Sequence, residues 1–260
     1  MGVTYSSYLK LDELLELQRP LSDGPEHDEM LFIVIHQVYE LWFRELLHET
    51  DFLKTRLAAG DAPRALGTFK RILTILKVVV AQIDVLETMT PLEFLSFRAR
   101  LESGSGFQSF QFRELEFSLG HKVPAALDRY PAGSPARGRL ERRMAEPTLW
   151  DAFVRFVGRT GRPVPDEVMR RDVTRPIEPS PALQKVLIEV YRGDPMAAAV
   201  CERMVDLDEG LQEWRYRHVK MVERTIGTKH GTGGSQGAAY LKTTLDHPLF
   251  PDLWAIRADL

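Results

Sequence analysis

An all-α fold with a bundle-like core of long helices is the architecture that the sequence predicts. Apolar residues recur at spacings of three and four over segments of about 28–59, 63–88 and 195–227, the period of a helix that buries one face. No alternation of short strands with helices, as a doubly wound sheet requires, is visible. The 260 residues, 44% hydrophobic and 27% charged, suffice for one large domain spanning 1–260 and are too apolar for a disordered chain.

The elements follow in order. The opening MGVTYSSYLKLDE lacks a basic stretch followed by a long apolar run, so no secretory signal is expected. The run DEMLFIVIHQVYELWFRELLHETDFLKTRLAA reads as one core helix closed by Gly60. The next helix carries Leu66, Phe69, Ile72, Leu73, Leu76, Val79, Ile83 and Leu86 on one face. Its run Val78-Val79-Val80 is the one place where a buried strand competes, and the helical spacing on both sides decides for helix. Thr90-Pro91-Leu92-Glu93 supplies an N-cap, a first-turn proline and a capping glutamate for a helix over about 91–101. Another helix is expected from near Phe107 to Gly120. Between 121 and 181 nine prolines leave room only for short helices such as 148–158, so this stretch is expected to be peripheral. Helical spacing returns over about 182–191 and, after Asp194-Pro195, over 195–227.

Charge and composition exclude several function classes. With 34 Lys+Arg against 37 Asp+Glu, net −3, nucleic-acid capture is not expected. The single Cys201 excludes a disulfide scaffold and multi-cysteine metal sites and fits a reducing, cytoplasmic setting. The longest apolar runs, LFIVI at 31–35 and VVVA at 78–81, fall far short of the roughly 17–25 residues of a membrane span.

Two histidines lie on apolar helical stripes. His218 shares its face with Leu211, Trp214, Val222 and Thr225, and His36 shares one with Phe32, Ile33, Tyr39 and Phe43. Each reads either as a buried core residue or as a functional imidazole: an axial haem ligand at His218, an acceptor for a substrate N–H at His36. His27, His48, His121 and His247 lie near polar or turn sequence and are expected at the surface, and His230 adjoins a glycine loop. A two-histidine, one-carboxylate iron site of His27, Glu29 and His121 lacks a ligand spacing to support it. GTGGSQG at 231–237, with Thr232, is either a flexible turn or a backbone cradle for an anion. It is no P-loop, since GK[ST] is missing. SGSGFQS at 103–109 is a weaker example of the same kind. Arg98 follows Phe94 by four residues on one helical face, and is either an exposed cation or a carboxylate clamp beside an aromatic wall of Phe94 and Phe32.

The chain resembles bacterial tryptophan 2,3-dioxygenases through HDEMLFIVIHQVYELWFRELLHE at 27–49, FRARLESGSGFQSFQFRELEF at 97–117, WRYRHVKMVERTIG at 214–227 and GTGGSQG at 231–237. The resemblance covers nearly the whole chain. It implies haem b, ferrous in the active state, and conversion of L-tryptophan and O2 to N-formyl-L-kynurenine, the first step of kynurenine-pathway tryptophan degradation. His218 then corresponds to the proximal haem ligand, His36 to the distal residue that meets the indole N–H, and Arg98 to the carboxylate clamp. Phe32, Phe94 and Leu101 would line the indole pocket, Thr232 would contact the ammonium or carboxylate region, and Ser105 and Gly106 would lie near the haem. The resemblance also implies a homotetramer in which residues 1–20 reach a neighbouring subunit, with Tyr5, Tyr8 and Leu9 entering its pocket. Gln236 departs from the family, where many members have a second serine in GTGGSSG. A related oxygenase acting on a substituted indole, or a haem sensor without turnover, are the alternatives.

Overall fold

The computed structural model describes residues 2–24, 26–231, 238–245 and 247–260, with no β-strand among them. Two short helices, α1 (Tyr5–Leu9) and α2 (Leu11–Leu15), precede the longest one, α3 (His27–Ala59). Gly60, at φ 77°, ends α3 in the left-handed conformation that glycine adopts without strain. The chain then turns at once into α4 (Ala62–Leu86), capped by Asp61. Within α4, Ile72, Ile75, Leu76, Val79 and Ile83 are buried while Val78 is exposed, burial at helical spacing on one face, which settles the valine run.

The segment after Thr90 is helical as expected but changes character. Its capping box forms, α5 runs over Pro91–Phe97, and the chain then tightens into a 3-10 turn at Arg98–Leu101. The helix expected from Phe107 is likewise split. A 3-10 turn at Gly106–Gln108 precedes α6 (Phe110–Leu119), because Ser109 is extended and its hydroxyl accepts the Phe112 N–H as an N-cap.

The proline-rich stretch holds α7 (Pro135–Ala145), α8 (Leu149–Arg159) and α9 (Asp166–Met169). Helix α8 lies against α3, and its Leu149, Trp150, Phe153 and Val157 are buried, so this stretch supplies core as well as surface. After it come α10 (Pro181–Gly193), α11 (Pro195–Ile226), α12 (Ala238–Lys242) and α13 (Pro251–Ala255). In the main core cluster α11 packs on α4 and α4 on α3, filled by Phe43, Leu53, Phe69, Leu76, Met204 and Leu211 among others, and a smaller cluster gathers Phe117, Tyr130, Leu140 and Met144. Three long helices of about 40–50 Å at 1.5 Å per residue thus frame the molecule. Among the described residues no helix is long and apolar enough to cross a membrane.

Buried polar groups fasten the shorter pieces. Asp208 on α11 accepts the N–H groups of Leu249 and Phe250 and the indole N–H of Trp254, docking the C-terminal segment. Lys122 is fully buried, and its ammonium donates to the carbonyls of Arg143, Met144 and Glu146 at 3.2, 2.7 and 2.5 Å. It therefore satisfies the orphan carbonyls at the end of α7 and complements the negative end of the helix dipole. Replacing Lys122 with Met is expected to lower unfolding free energy by about 2–3 kcal/mol, the cost of buried acceptors left unpaired. Denaturant unfolding of the variant checks this.

Candidate active site

A cavity of about 520 Å³ opens between α3, α4, α5, α6 and α11. Phe32 and His36 of α3, Phe94 of α5, Arg98 and Leu101 of the following 3-10 turn, Ser105, Gly106, and His218 of α11 all line it. Three stretches far apart in sequence, 32–36, 94–106 and 218, thus bring eight of the predicted residues to one place. Thr232 and Gln236 lie outside the described residues, although Gly231 lines the cavity. Tyr5, Tyr8 and Leu9 do not line it within the same chain and are 76%, 77% and 42% exposed.

His218 sits where α11 passes the cavity. The Trp214 ring, one turn earlier, stacks on it with centroids 5.2 Å apart and planes 5° from parallel. The imidazole makes no hydrogen bond to any described residue, and burial, with a smaller contribution from nearby His36, pushes its pKa down to about 4. It is therefore neutral at pH 7 and keeps a nitrogen lone pair in an apolar setting, the form in which imidazole ligates a metal.

His36 is fixed by its own helix. Its Nδ1 lies 2.7 Å from the Phe32 carbonyl oxygen. A carbonyl only accepts, so the proton sits on Nδ1 and Nε2 is left as an acceptor. Burial pushes the imidazole pKa below its ordinary value, outweighing the opposing pull of the Phe32 carbonyl and Glu40. The Phe32 ring packs 4.1 Å from the His36 ring, and Phe32, Phe94 and Phe97 form a triangle of aromatic contacts at 5.5–5.8 Å. Phe97, fully buried behind the wall, was not singled out from the sequence. Its one-turn offset from Phe94 on a capped helix is the signal that could have found it.

Arg98 donates from Nη2 to the His230 carbonyl at 2.6 Å. Its Nε is buried without a partner among the described residues. A guanidinium held at one corner and carrying an unsatisfied donor beside a cavity is prepared for an anion.

The opposite wall is polar, and sequence reasoning missed it. Arg113 and Arg215 share the buried Glu116, Arg215 through a 2.8 Å contact, and Arg215 also donates to the Thr244 carbonyl. His121, expected at the surface, lines this wall instead. Gly120 ends α6 at φ 118°, and the His121 N–H folds back to the Glu116 carbonyl, turning the residue inward. Burial there holds its imidazole pKa below the ordinary value. The available signal was position: Arg215 and Trp214 precede His218 by three and four residues, the same face of one helix.

His27, Glu29 and His121 are not brought together. His27 is exposed, the Glu29 carboxylate is turned to Leu21 and Ser22, and His121 is in the cavity wall. Among the described residues no group of three His, Cys, Asp or Glu side chains is placed to hold a metal. A planar metal macrocycle carrying its own four donors needs only an axial imidazole. The residues fit such a group: an imidazole at His218 that lines the cavity without a hydrogen bond to a described residue, apolar walls, and four lining arginines (98, 113, 129, 215) against two glutamates (40, 116), which suits carboxylates on its rim.

Comparison with known proteins identifies the family. The family model for tryptophan 2,3-dioxygenase matches residues 1–132 and 166–260. The chain is 62% identical over 259 residues to a tryptophan 2,3-dioxygenase of Herpetosiphon aurantiacus, covering 100% of this chain and 99% of that one. It is 58% identical to one of Anaeromyxobacter sp. strain K, covering 100% and 97%, and 40% identical to one of Bacillus thuringiensis, covering 100% and 93%.

Proposed function

The chain belongs to the tryptophan 2,3-dioxygenase family, and from that premise we propose that it is a single haem-dependent domain, acting in the cytoplasm, that converts L-tryptophan and O2 to N-formyl-L-kynurenine. The observation that carries the reading is one apolar cavity presenting a bare imidazole nitrogen at His218, an acceptor nitrogen at His36 and an unsatisfied guanidinium donor at Arg98. Together these match an indole amino acid and an iron macrocycle.

His218 would hold haem b through its imidazole nitrogen. When bound, haem in its ferrous state supplies the dioxygen chemistry that cleaves the indole C2–C3 bond and leaves both oxygen atoms in the product. Arg98 pairs with the substrate carboxylate, and Thr232 contacts the ammonium or carboxylate region. Phe32, Phe94 and Leu101 enclose the indole, excluding water and limiting it to one orientation, which is where a near-attack geometry gains its rate. His36 accepts the indole N–H at Nε2, a positioning contact. Ser105 and Gly106, which line the cavity, would help to hold the haem. Tyr5, Tyr8 and Leu9, exposed on their own subunit, complete the pocket of a neighbour in a homotetramer.

The role of His36 has a signed pH consequence. Protonation would place a second N–H on Nε2 and turn the acceptor into a donor. Since burial holds the folded pKa below 6.5, kcat/KM for tryptophan is expected to be flat above that pH and to fall only as pH drops through the lowered value. N1-methylated tryptophan, which has no N–H to donate, should turn over about tenfold or more less efficiently, and His36→Ala should shrink that difference. Steady-state rates across pH with both substrates check it.

The test of the whole reading is reconstitution with haem, an absorption spectrum, and assay of N-formylkynurenine against oxygen uptake. Product from tryptophan supports it. Preference for ring-substituted analogues would indicate the substituted-indole oxygenase, and haem binding without oxygen uptake a sensor.

A further inference from the structure

The connection between α2 and α3 is fastened at more points than a connecting loop requires. Glu29, in the first turn of α3, is 3% exposed. Its carboxylate accepts the Leu21 N–H at 2.6 Å, the Ser22 N–H at 3.1 Å and a short bond from the Ser22 hydroxyl. Burial raises the carboxyl pKa, but these donors, with Arg100 nearby, outweigh it and hold the group below the ordinary glutamate range. Two turns further along α3, Gln37 accepts from Gln18 at 2.6 Å and donates to the Leu17 carbonyl at 3.2 Å. Arg100, two residues from Arg98, donates to Asp23 at 2.9 Å. Residues 17–23 are thus tied both to α3 and to the turn that carries the carboxylate clamp.

Upstream of these ties the picture reverses. Helices α1 and α2 bury no residue, and Val3, Tyr5, Tyr8 and Leu15 are exposed. An arm with exposed apolar side chains and no fully buried residue is anchored at its base by a buried carboxylate with three donors, a charge-assisted cluster stronger than neutral bonds. Glu29 also lies three and seven residues before Phe32 and His36, on the stripe of α3 that faces the cavity.

We propose that Glu29, with Gln37 as a second point of attachment, is a positioning residue for the adjacent subunit: it clasps residues 17–23 so that the arm leaves in one direction and delivers Tyr5, Tyr8 and Leu9 to a neighbour's cavity. This rests on the arm exchange in the function proposed above. A fixed exit raises the effective concentration of the arm at its destination; a loose base spends that advantage on chain entropy.

The test uses haem-loaded, full-length Glu29→Gln and Ser22→Ala, the second removing only a hydroxyl and so guarding against a folding failure in the first. Expected for Glu29→Gln is a rise in KM for tryptophan of about tenfold with kcat within about twofold, and a smaller rise in the same sense for Ser22→Ala. Amide exchange over residues 5–15 should quicken in both variants, with the haem spectrum unchanged. Unchanged KM overturns the proposal, as does loss of haem together with equal losses in kcat and kcat/KM, which would mark Glu29 as a structural residue of α3. If the wild type forms no product, the functional reading fails separately. Exchange of the arm and sedimentation of the assembly then decide the clasp: faster exchange with weaker assembly supports it, and no change in either overturns it.

Discussion

His218→Ala is expected to lose haem and turnover together while the polypeptide stays folded. Axial ligation by this imidazole is the one bond from chain to iron in the proposed site, so its removal should weaken haem retention by more than the 10–100-fold that loss of a residue merely supporting a ligand brings. The apo protein should respond differently. In the folded chain His218 is half-buried at the cavity wall, and its desolvation, seen in the lowered pKa, sets a modest cost against its packing. Removing it relieves that cost and gives up packing against Trp214. The two effects oppose, and apo stability should change by no more than about 1 kcal/mol. A residue conserving only core packing would show the reverse, haem kept and stability lost. Added imidazole should restore the absorption spectrum of the variant by occupying the space the side chain leaves. Haem titration and thermal unfolding of the apo protein, run side by side, check both halves.

Arg98→Ala is expected to lower kcat/KM for tryptophan by roughly 10–200-fold, the equivalent of about 1.5–3 kcal/mol for a charge-assisted hydrogen bond to a carboxylate. Tryptamine, which has the same indole and no carboxylate, should be affected little. Discrimination between the two collapses in the variant. Arg98→Lys should recover only part of the loss. One ammonium cannot both hold the His230 carbonyl, as Nη2 does, and present a second fixed donor to the substrate. An equal loss for both substrates would place Arg98 in the scaffold of the 98–101 turn rather than at the carboxylate.

The long helices were legible because a helix that buries one face writes its period into the sequence. Buried Ile72, Ile75, Leu76, Val79 and Ile83, three and four residues apart, express that rule. The helix at 148–158 was legible as well, but α13 was not, since it spans five residues, too few to show a period, and is held by Asp208 from forty residues away. Local capping chemistry was readable at Thr90, where the box forms as written, and misread at Ser109, whose hydroxyl starts a new helix within what looked like one. In the candidate site the histidines and Arg98 stood out as polar side chains beside apolar or aromatic neighbours. The Arg113–Glu116–Arg215 wall did not, because its members satisfy one another across α6 and α11, and pairing between distant segments leaves no mark in local spacing. His121 was misplaced for a related reason: its environment is set by the backbone turn at Gly120, not by its polar neighbours in the chain.

The proposed reaction is tested most directly by turnover of L-tryptophan by the haem-reconstituted protein under isotopically labelled dioxygen, with the product weighed by mass spectrometry. The prediction is N-formyl-L-kynurenine carrying both label atoms, formed one-to-one with oxygen consumed. Product with a single label atom, or oxygen consumption without ring opening, would contradict it.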